Sequence, residues 1–181
     1  MNVKTKVICV SGKAQHGKDT YAKILKDALE KKGKKVLVAH YADLVKYVCS
    51  TFFNWDGNKD EAGRTLLQYV GTDVVRAQQP DYWVNFIKDM LLFFDGSWDF
   101  VIIPDTRFPN EITIMKDSFP TYHCRVVRYG FESSLTDEQK RHPSETALDN
   151  YPYDILIPNE GDDMFMITKV GESSAQIICG E

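Results

Sequence analysis

Residues 6–11 (KVICVS) form an apolar run that breaks into Gly12-Lys13-Ala14-Gln15-His16-Gly17-Lys18, and this junction constrains the chain more than any other segment. Behind it Tyr21, Ile24, Leu25, Ala28 and Leu29 share one face of a helix, which Gly33 can terminate. A second apolar run, residues 35–40 (KVLVAH), follows. Buried strand, glycine loop, helix and strand make a βαβ unit, whose crossover forces the two strands to run parallel. The spacing therefore predicts an α/β chain with a mostly parallel sheet.

Further strands are expected at residues 98–104 (WDFVIIP), 122–128 (YHCRVVR) and 154–157 (DILI). Between the strands at 35–40 and 98–104 the chain reads as helical, over 43–53, over 64–76 and after Pro80-Asp81. The last of these helices would turn Trp83, Phe86, Ile87, Met90, Leu91 and Phe94 inward. Helices filling about residues 42–95 exceed what a crossover needs and read as an inserted cap over the sheet edge. Residues 129–152 are polar and charged, with Thr136-x-x-Gln139 as a capping box for a short helix. A connection this long reads as a lid or a disordered stretch. The tail allows a helix over 164–170 and an edge strand over 176–179. With 181 residues, 43% of them hydrophobic, and no repeat or linker, a single domain over 1–181 is expected.

The chemistry of the first junction follows from its residue types. Glycines let successive backbone N–H groups turn inward on an anion, and the following helix presents its positive end to the same point. Lys18 completes the pattern G-x-x-x-x-G-K and would reach the β- and γ-phosphates of a nucleotide. The position after the lysine, usually the Ser or Thr that holds Mg²⁺, is Asp19, with Thr20 next. A carboxylate can hold the ion directly or through water. The rival reading is a glycine turn at an ordinary strand–helix junction. The strand at 98–104 delivers Asp105-Thr106-Arg107, an acid placed to support a metal and a guanidinium fork suited to phosphate. Here the rival is a helix start capped by Asp105 or Asn110.

A net charge of -4 argues against general nucleic-acid binding and leaves nucleotide binding open. No apolar run approaches membrane-spanning length, and the apolar start is too short for a secretory signal, so a cytoplasmic protein is expected. Cys9, Cys49, Cys124 and Cys179 lack metal-ligand spacing and read as free thiols in a reducing compartment.

With these motifs on one chain, the sequence resembles the deoxynucleoside monophosphate kinase family of phages and some bacteria. The resemblance runs through Ser11-Gly12-x4-Gly17-Lys18-Asp19-Thr20, Ala42-Asp43-Leu44-x-Lys46, Arg64-x-x-Leu67-Gln68-x-x-Gly71-Thr72-Asp73 and Tyr82-Trp83-Val84. It continues through Pro104-Asp105-Thr106-Arg107-Phe108-Pro109-Asn110-Glu111, Arg125-Val126-Val127-Arg128, His142-x-Ser144-Glu145 and Ile157-x-Asn159-x-Gly161. It implies a three-layer P-loop kinase fold with a helical substrate-binding insert and a mobile lid over about 129–152. It also implies transfer of the γ-phosphoryl of ATP, with Mg²⁺, to a deoxynucleoside monophosphate in a bacterial cell or phage-infected host.

Carried over by residue, the resemblance gives Gly12, Lys13, Gly17, Lys18, Asp19, Thr20, Asn159 and Gly161 to ATP. Asp43, Lys46, Arg64, Gln68, Trp83, Arg128, His142 and Glu145 go to the acceptor. Lys18, Asp105 and Arg107 are the catalytic candidates, and Asp19 and Asp105 the metal candidates. Family members are often dimers, so a homodimer is an option the resemblance leaves open. Each assignment has a plainer rival: Arg64 and Lys46 as solvated charges, Trp83 as core, His142 as a turn residue. Two other functions fit part of the pattern. A phosphomevalonate kinase-like enzyme shares the Gly-Lys-Asp loop, Asp-Thr-Arg and a Glu145-x-x-Leu148-Asp149-Asn150 run. A nucleotide-binding regulatory protein would need a base-reading Asn-Lys-x-Asp, which Asn58-Lys59-Asp60 falls short of by one residue.

Overall fold

In a computed structural model, which describes residues 3–161 and 164–180, five strands form one sheet in the order β2–β3–β1–β4–β5. They are β1 (Lys6–Ser11), β2 (Val36–Val38), β3 (Phe100–Ile103), β4 (Thr121–Arg128) and β5 (Ile155–Asn159). Every pairing is parallel; β1 lies at the centre, with Lys6 opposite Phe100 of β3 and Val7 opposite Thr121 of β4. Strands buried on both faces must be apolar at successive positions, and Val7 to Val10 are.

Side chains of each strand alternate between two cores. Ile8, Val10, Ile102, Cys124 and Ile157 face α1 (Lys18–Lys31) and α8 (Met164–Cys179). Val7, Cys9, Val101 and Ile103 face the other layer. That layer contains α2 (Ala42–Phe52), α3 (Glu61–Gln68), α4 (Tyr82–Phe93) and α5 (Pro109–Ser118). The insert is therefore one of the three layers rather than a cap over an edge. Two short helices, α6 (Asp137–Arg141) and α7 (Pro143–Thr146), lie between β4 and β5.

Three local expectations change. The helix read over 64–76 begins at Glu61, capped by the Asp60 side chain accepting from Gly63 N, and widens to a π-helix over Tyr69–Arg76. The tail forms one helix, α8, with no edge strand at 176–179: Ala175 and Ile178 face the sheet at helical spacing. On α4, Trp83, Val84 and Leu91 are buried while Phe86, Met90 and Phe94 are exposed, so the inward face is rotated from the expected stripe. A helix this rich in apolar residues offers several stripes, and packing against α5 and the π-helix chooses among them. The capping box at Thr136 and Gln139 forms as read. Cys9, Cys49 and Cys124 are buried free thiols and Cys179 is half-buried.

Candidate active site

The loop from Gly12 to Gly17 leaves the carboxyl end of the central strand and enters α1. Its shape depends on two glycines. Gly12 has φ +147°, and a Cβ there would lie 2.4 Å from Val126 O; at Gly17, φ +92°, it would lie 2.6 Å from Asn159 Nδ2. Asn159, buried at the end of β5, donates to His16 O at 2.8 Å and accepts from Gly161 N at 3.1 Å. Beneath the loop, Ser11 and the fully buried His123 are 2.7 Å apart. His123 Nδ1–H donates to Pro152 O at 2.8 Å, which leaves Nε2 to accept from the Ser11 hydroxyl. Burial holds His123 below the usual histidine range.

Lys18 lies along the loop and donates to Gly12 O at 2.9 Å and Lys13 O at 2.8 Å. Burial, reinforced by the positive charge of Arg107, pulls its ammonium down to about 7. A phosphate oxygen would supply the negative charge that this lysine lacks. The loop also takes an anion's oxygen already: Ala14 N donates to Glu145 Oε2 at 2.9 Å. That contact shows one loop amide turned toward an anionic oxygen. Asp19 and Thr20 are exposed on the first turn of α1. Asp19 sits 3.4 Å from His40 Nε2, which lowers the carboxyl and raises the imidazole.

A cleft of ≈ 470 Å³ opens between this loop and the insert. Of the residues singled out from sequence, Lys18, Asp19, Lys46, Arg64, Gln68, Trp83, Asp105, Arg107 and Glu145 line it. Trp83 is buried and donates from Nε1 to Gly71 O at 2.8 Å, so it is both core and wall. Arg64 Nε donates to Lys59 O at 2.8 Å, and Lys46 pairs with Asp43 at 2.7 Å. Asp105 accepts from Tyr41 N at 3.1 Å and Ala42 N at 2.8 Å, which ties β3 to the start of α2. It thus caps α2, not the helix that follows it in sequence. Burial raises its carboxyl, against the pull of those amides and of His40.

Other candidates lie elsewhere. Gly12 and Lys13 sit behind the cleft beside Arg125 and Asp149. The Arg128 guanidinium stacks on Phe131 at 4.2 Å and neighbours Gly161, and its backbone N donates to His16 Nδ1. His142 bonds Ser144 and reaches Asp73 Oδ1 at 3.3 Å, joining the α6–α7 segment to the π-helix. Among the described residues, no group of three or more His, Cys, Asp or Glu could hold a metal ion by itself. Asp19 and Asp105 offer carboxylates on either side of the loop mouth and would need a phosphate to complete an Mg²⁺ site.

Sequence reasoning missed Arg76 and Glu111, which also line the cleft. Arg76 Nη2 donates to Glu111 Oε1 at 2.5 Å, and its guanidinium stacks on Phe108 at 4.0 Å. Glu111 Oε2 accepts from Arg107 N at 2.6 Å and Phe108 N at 3.0 Å. Burial pushes the Glu111 carboxyl up to about 7, with Arg76 and both amides pulling back. Pro109 at the helix start with Glu111 two residues on is a readable helix-entry signal. Nothing local announces Arg76 as its partner.

The deoxynucleotide monophosphate kinase family profile matches residues 40–170, a span that begins after the glycine loop. The deoxynucleotide monophosphate kinase of Enterobacteria phage T4 is 35% identical over 100 residues, covering 54% of this chain and 39% of that protein. A relative from Acanthamoeba polyphaga mimivirus is 31% identical over 107 residues, covering 53% of this chain and 52% of its own length. The chain thus spans about two fifths to half the length of these relatives. A gluconokinase from Sinorhizobium meliloti 1021 superposes with a TM-score of 0.52 at 12% identity, covering 99% of this chain and 96% of that one. At that identity the likeness is one of fold: the three-layer architecture of a P-loop kinase.

Proposed function

We propose, from the premise that the chain belongs to the deoxynucleotide monophosphate kinase family, that it transfers the γ-phosphoryl group of ATP to a deoxynucleoside 5′-monophosphate. The observation that carries this reading is one continuous cleft. Its walls carry the loop lysine, Lys18, the insert's Lys46, Arg64 and Gln68, and Arg107. Such a path suits a donor and an acceptor meeting in line, where positioning and charge stabilisation do most of the work.

ATP supplies the phosphoryl group when bound, and Mg²⁺ offsets the charge of its β- and γ-phosphates. Gly12, Gly17 and the loop amides would cradle the donor phosphates. Lys18 would exchange the two loop carbonyls for phosphate oxygens and regain its proton fully. Asp19, Thr20 and Asp105 would hold the ion, directly or through water. Asn159 and Gly161 would shape the nucleoside end of the donor site. Lys46, Arg64 and Gln68 would bind the acceptor phosphate and sugar, and Trp83 would wall its base. Arg107 would meet the charge that develops between donor and acceptor.

The proposed lid narrows to about residues 129–142, which would cover the cleft through Leu135. The α7 stretch is bonded to the loop and belongs to the fixed wall. Among the described residues no helix is long and apolar enough to cross a membrane. Work in the cytoplasm of an infected host would fit the phage relative.

Steady-state ADP release with ATP, Mg²⁺ and a panel of monophosphates tests the reading. Turnover with at least one deoxynucleoside monophosphate is expected, and Lys18→Ala should lower kcat on the order of 10²–10³-fold with the Tm retained. Turnover with phosphomevalonate alone, or guanine-only binding with very slow hydrolysis, would replace the proposal.

A further inference from the structure

Glu145 bridges three parts of the molecule that are distant in sequence. Its Oε1 accepts from Arg107 Nη1 at 2.6 Å, and its Oε2 accepts from Ala14 N of the glycine loop at 2.9 Å. Its own carbonyl accepts from Lys13 Nζ at 2.7 Å, while Arg107 Nη1 also reaches Ser144 O at 3.2 Å. The Glu145 side chain is 7% exposed. A carboxylate buried that far is held by its partners or not at all.

Two features separate this contact from ordinary anchoring. The stretch around α7 is already fastened by Lys13 to Asp149, by Arg125 to Asp149 and to Leu148 O, and by the buried Leu148 side chain. Glu145 is not needed to keep α7 in place. Arg107, by contrast, has no other side chain accepting from its guanidinium among the described residues. Glu145 also offsets the repulsion between Arg107 and Lys18, whose ammonium Arg107 depresses.

We infer that Glu145 is the positioning residue for Arg107: it fixes the guanidinium at the loop mouth, so that the arginine meets the transferring group without first finding its place. The inference rests on the kinase reading and moves Glu145 from acceptor binding to arginine alignment. A preset guanidinium lowers the reorganisation that accompanies transfer, and an error of about 1 Å in such a group can cost on the order of 10²-fold.

A double-mutant cycle between Glu145→Gln and Arg107→Ala tests it, with kcat, both KM values and Tm measured for each variant. Glutamine keeps the shape and one acceptor oxygen but cannot satisfy Arg107 and Ala14 together. Glu145→Gln should lower kcat by about 10- to 100-fold with little change in either KM or in Tm. In the Arg107→Ala background the same substitution should change kcat by less than about twofold. Losses that multiply across the cycle, or a Tm that falls with kcat, would make Glu145 a structural residue and overturn the inference. A raised acceptor KM at unchanged kcat would return Glu145 to acceptor binding, and a lowered KM for ATP would make it a competitor for the loop; either overturns it. Wild-type protein that turns over no monophosphate would overturn the inference and the kinase proposal together, which distinguishes that failure from the others.

Discussion

Two arginine–glutamate pairs line the cleft, each with one member at the β3–α5 junction. Arg76 and Glu111 are 10% and 2% exposed; Arg107 and Glu145 are 26% and 7% exposed. The inner pair has more partners: Arg76 also donates to Pro80 O and Asn110 Oδ1, with only its Nε buried unpaired, and Glu111 accepts from two amides. One of those amides belongs to Arg107 itself, at 2.6 Å. The inner pair therefore holds the arginine's main chain while Glu145 aims its side chain. Fixing the backbone and aiming the head group are separate tasks, and the molecule assigns them to separate carboxylates.

Breaking the inner pair should have the largest effect on folding. Glu111→Ala leaves a buried guanidinium without its counter-charge and two amides without an acceptor, a loss of about 3–5 kcal/mol. Thermal unfolding should then shift down by roughly 10 °C. A shift of a degree or two would mean that the two pairs do not differ in kind. Arg107→Ala should shift the balance: kcat falls on the order of 10²–10³-fold while stability falls by less than in Glu111→Ala, because Arg107 is 26% exposed and Ala14 N still donates to Glu145. Equal losses in both measurements would erase the distinction.

Two histidines carry the same contrast between interior and mouth. His123 is lowered by burial, whereas His40 is raised chiefly by its hydrogen bond to Asp19. NMR titration should find His40 above and His123 below the usual histidine value of about 6.5. Their linkage to stability then has opposite signs. The depressed His123 stabilises the fold above its unfolded pKa, and that contribution is lost as pH falls below it. The raised His40 contributes fully below its unfolded pKa and loses the contribution as pH rises through its folded value. His40→Gln should therefore leave a protein whose acid side is steeper than wild type; a shallower one would break the assignment. The smallest effect is expected for Asp149→Asn, which weakens the half-exposed pair with Lys13 by at most about 1 kcal/mol, read from urea unfolding.

The glycine loop, its strand and its helix were legible because every constraint there is local: positive-φ glycines, a lysine, an amphipathic run. Asp105 and Arg107 were legible as residues but not as bonds. The rival reading had Asp105 or Asn110 capping the helix that follows, whereas the Asp105 oxygens meet the start of α2 from across the sheet edge. The π-helix at Tyr69–Arg76 was hidden because its apolar residues satisfy an ordinary helical stripe as well. Arg76 and Glu111 were invisible as a pair, since the elements carrying them are joined through α4 and β3 and only packing brings them together. The anchoring of the α7 stretch to the glycine loop was equally nonlocal. It depends on Lys13 of the loop reaching the Glu145 carbonyl and the Asp149 carboxylate.

The central position of β1 has a consequence in time. Lys6 pairs with Phe100 and Val7 with Thr121, so the strand that carries the loop gains its neighbours only after both distant segments exist. At typical rates of about 5–20 residues per second, the ribosome needs on the order of ten seconds to supply them. Until then an apolar strand and a floppy glycine loop travel together with no sheet to shape them, and such long-range parallel pairing is slow to form once the chain is available. The part of this protein that is easiest to recognise in its sequence is thus among the last to acquire its folded form.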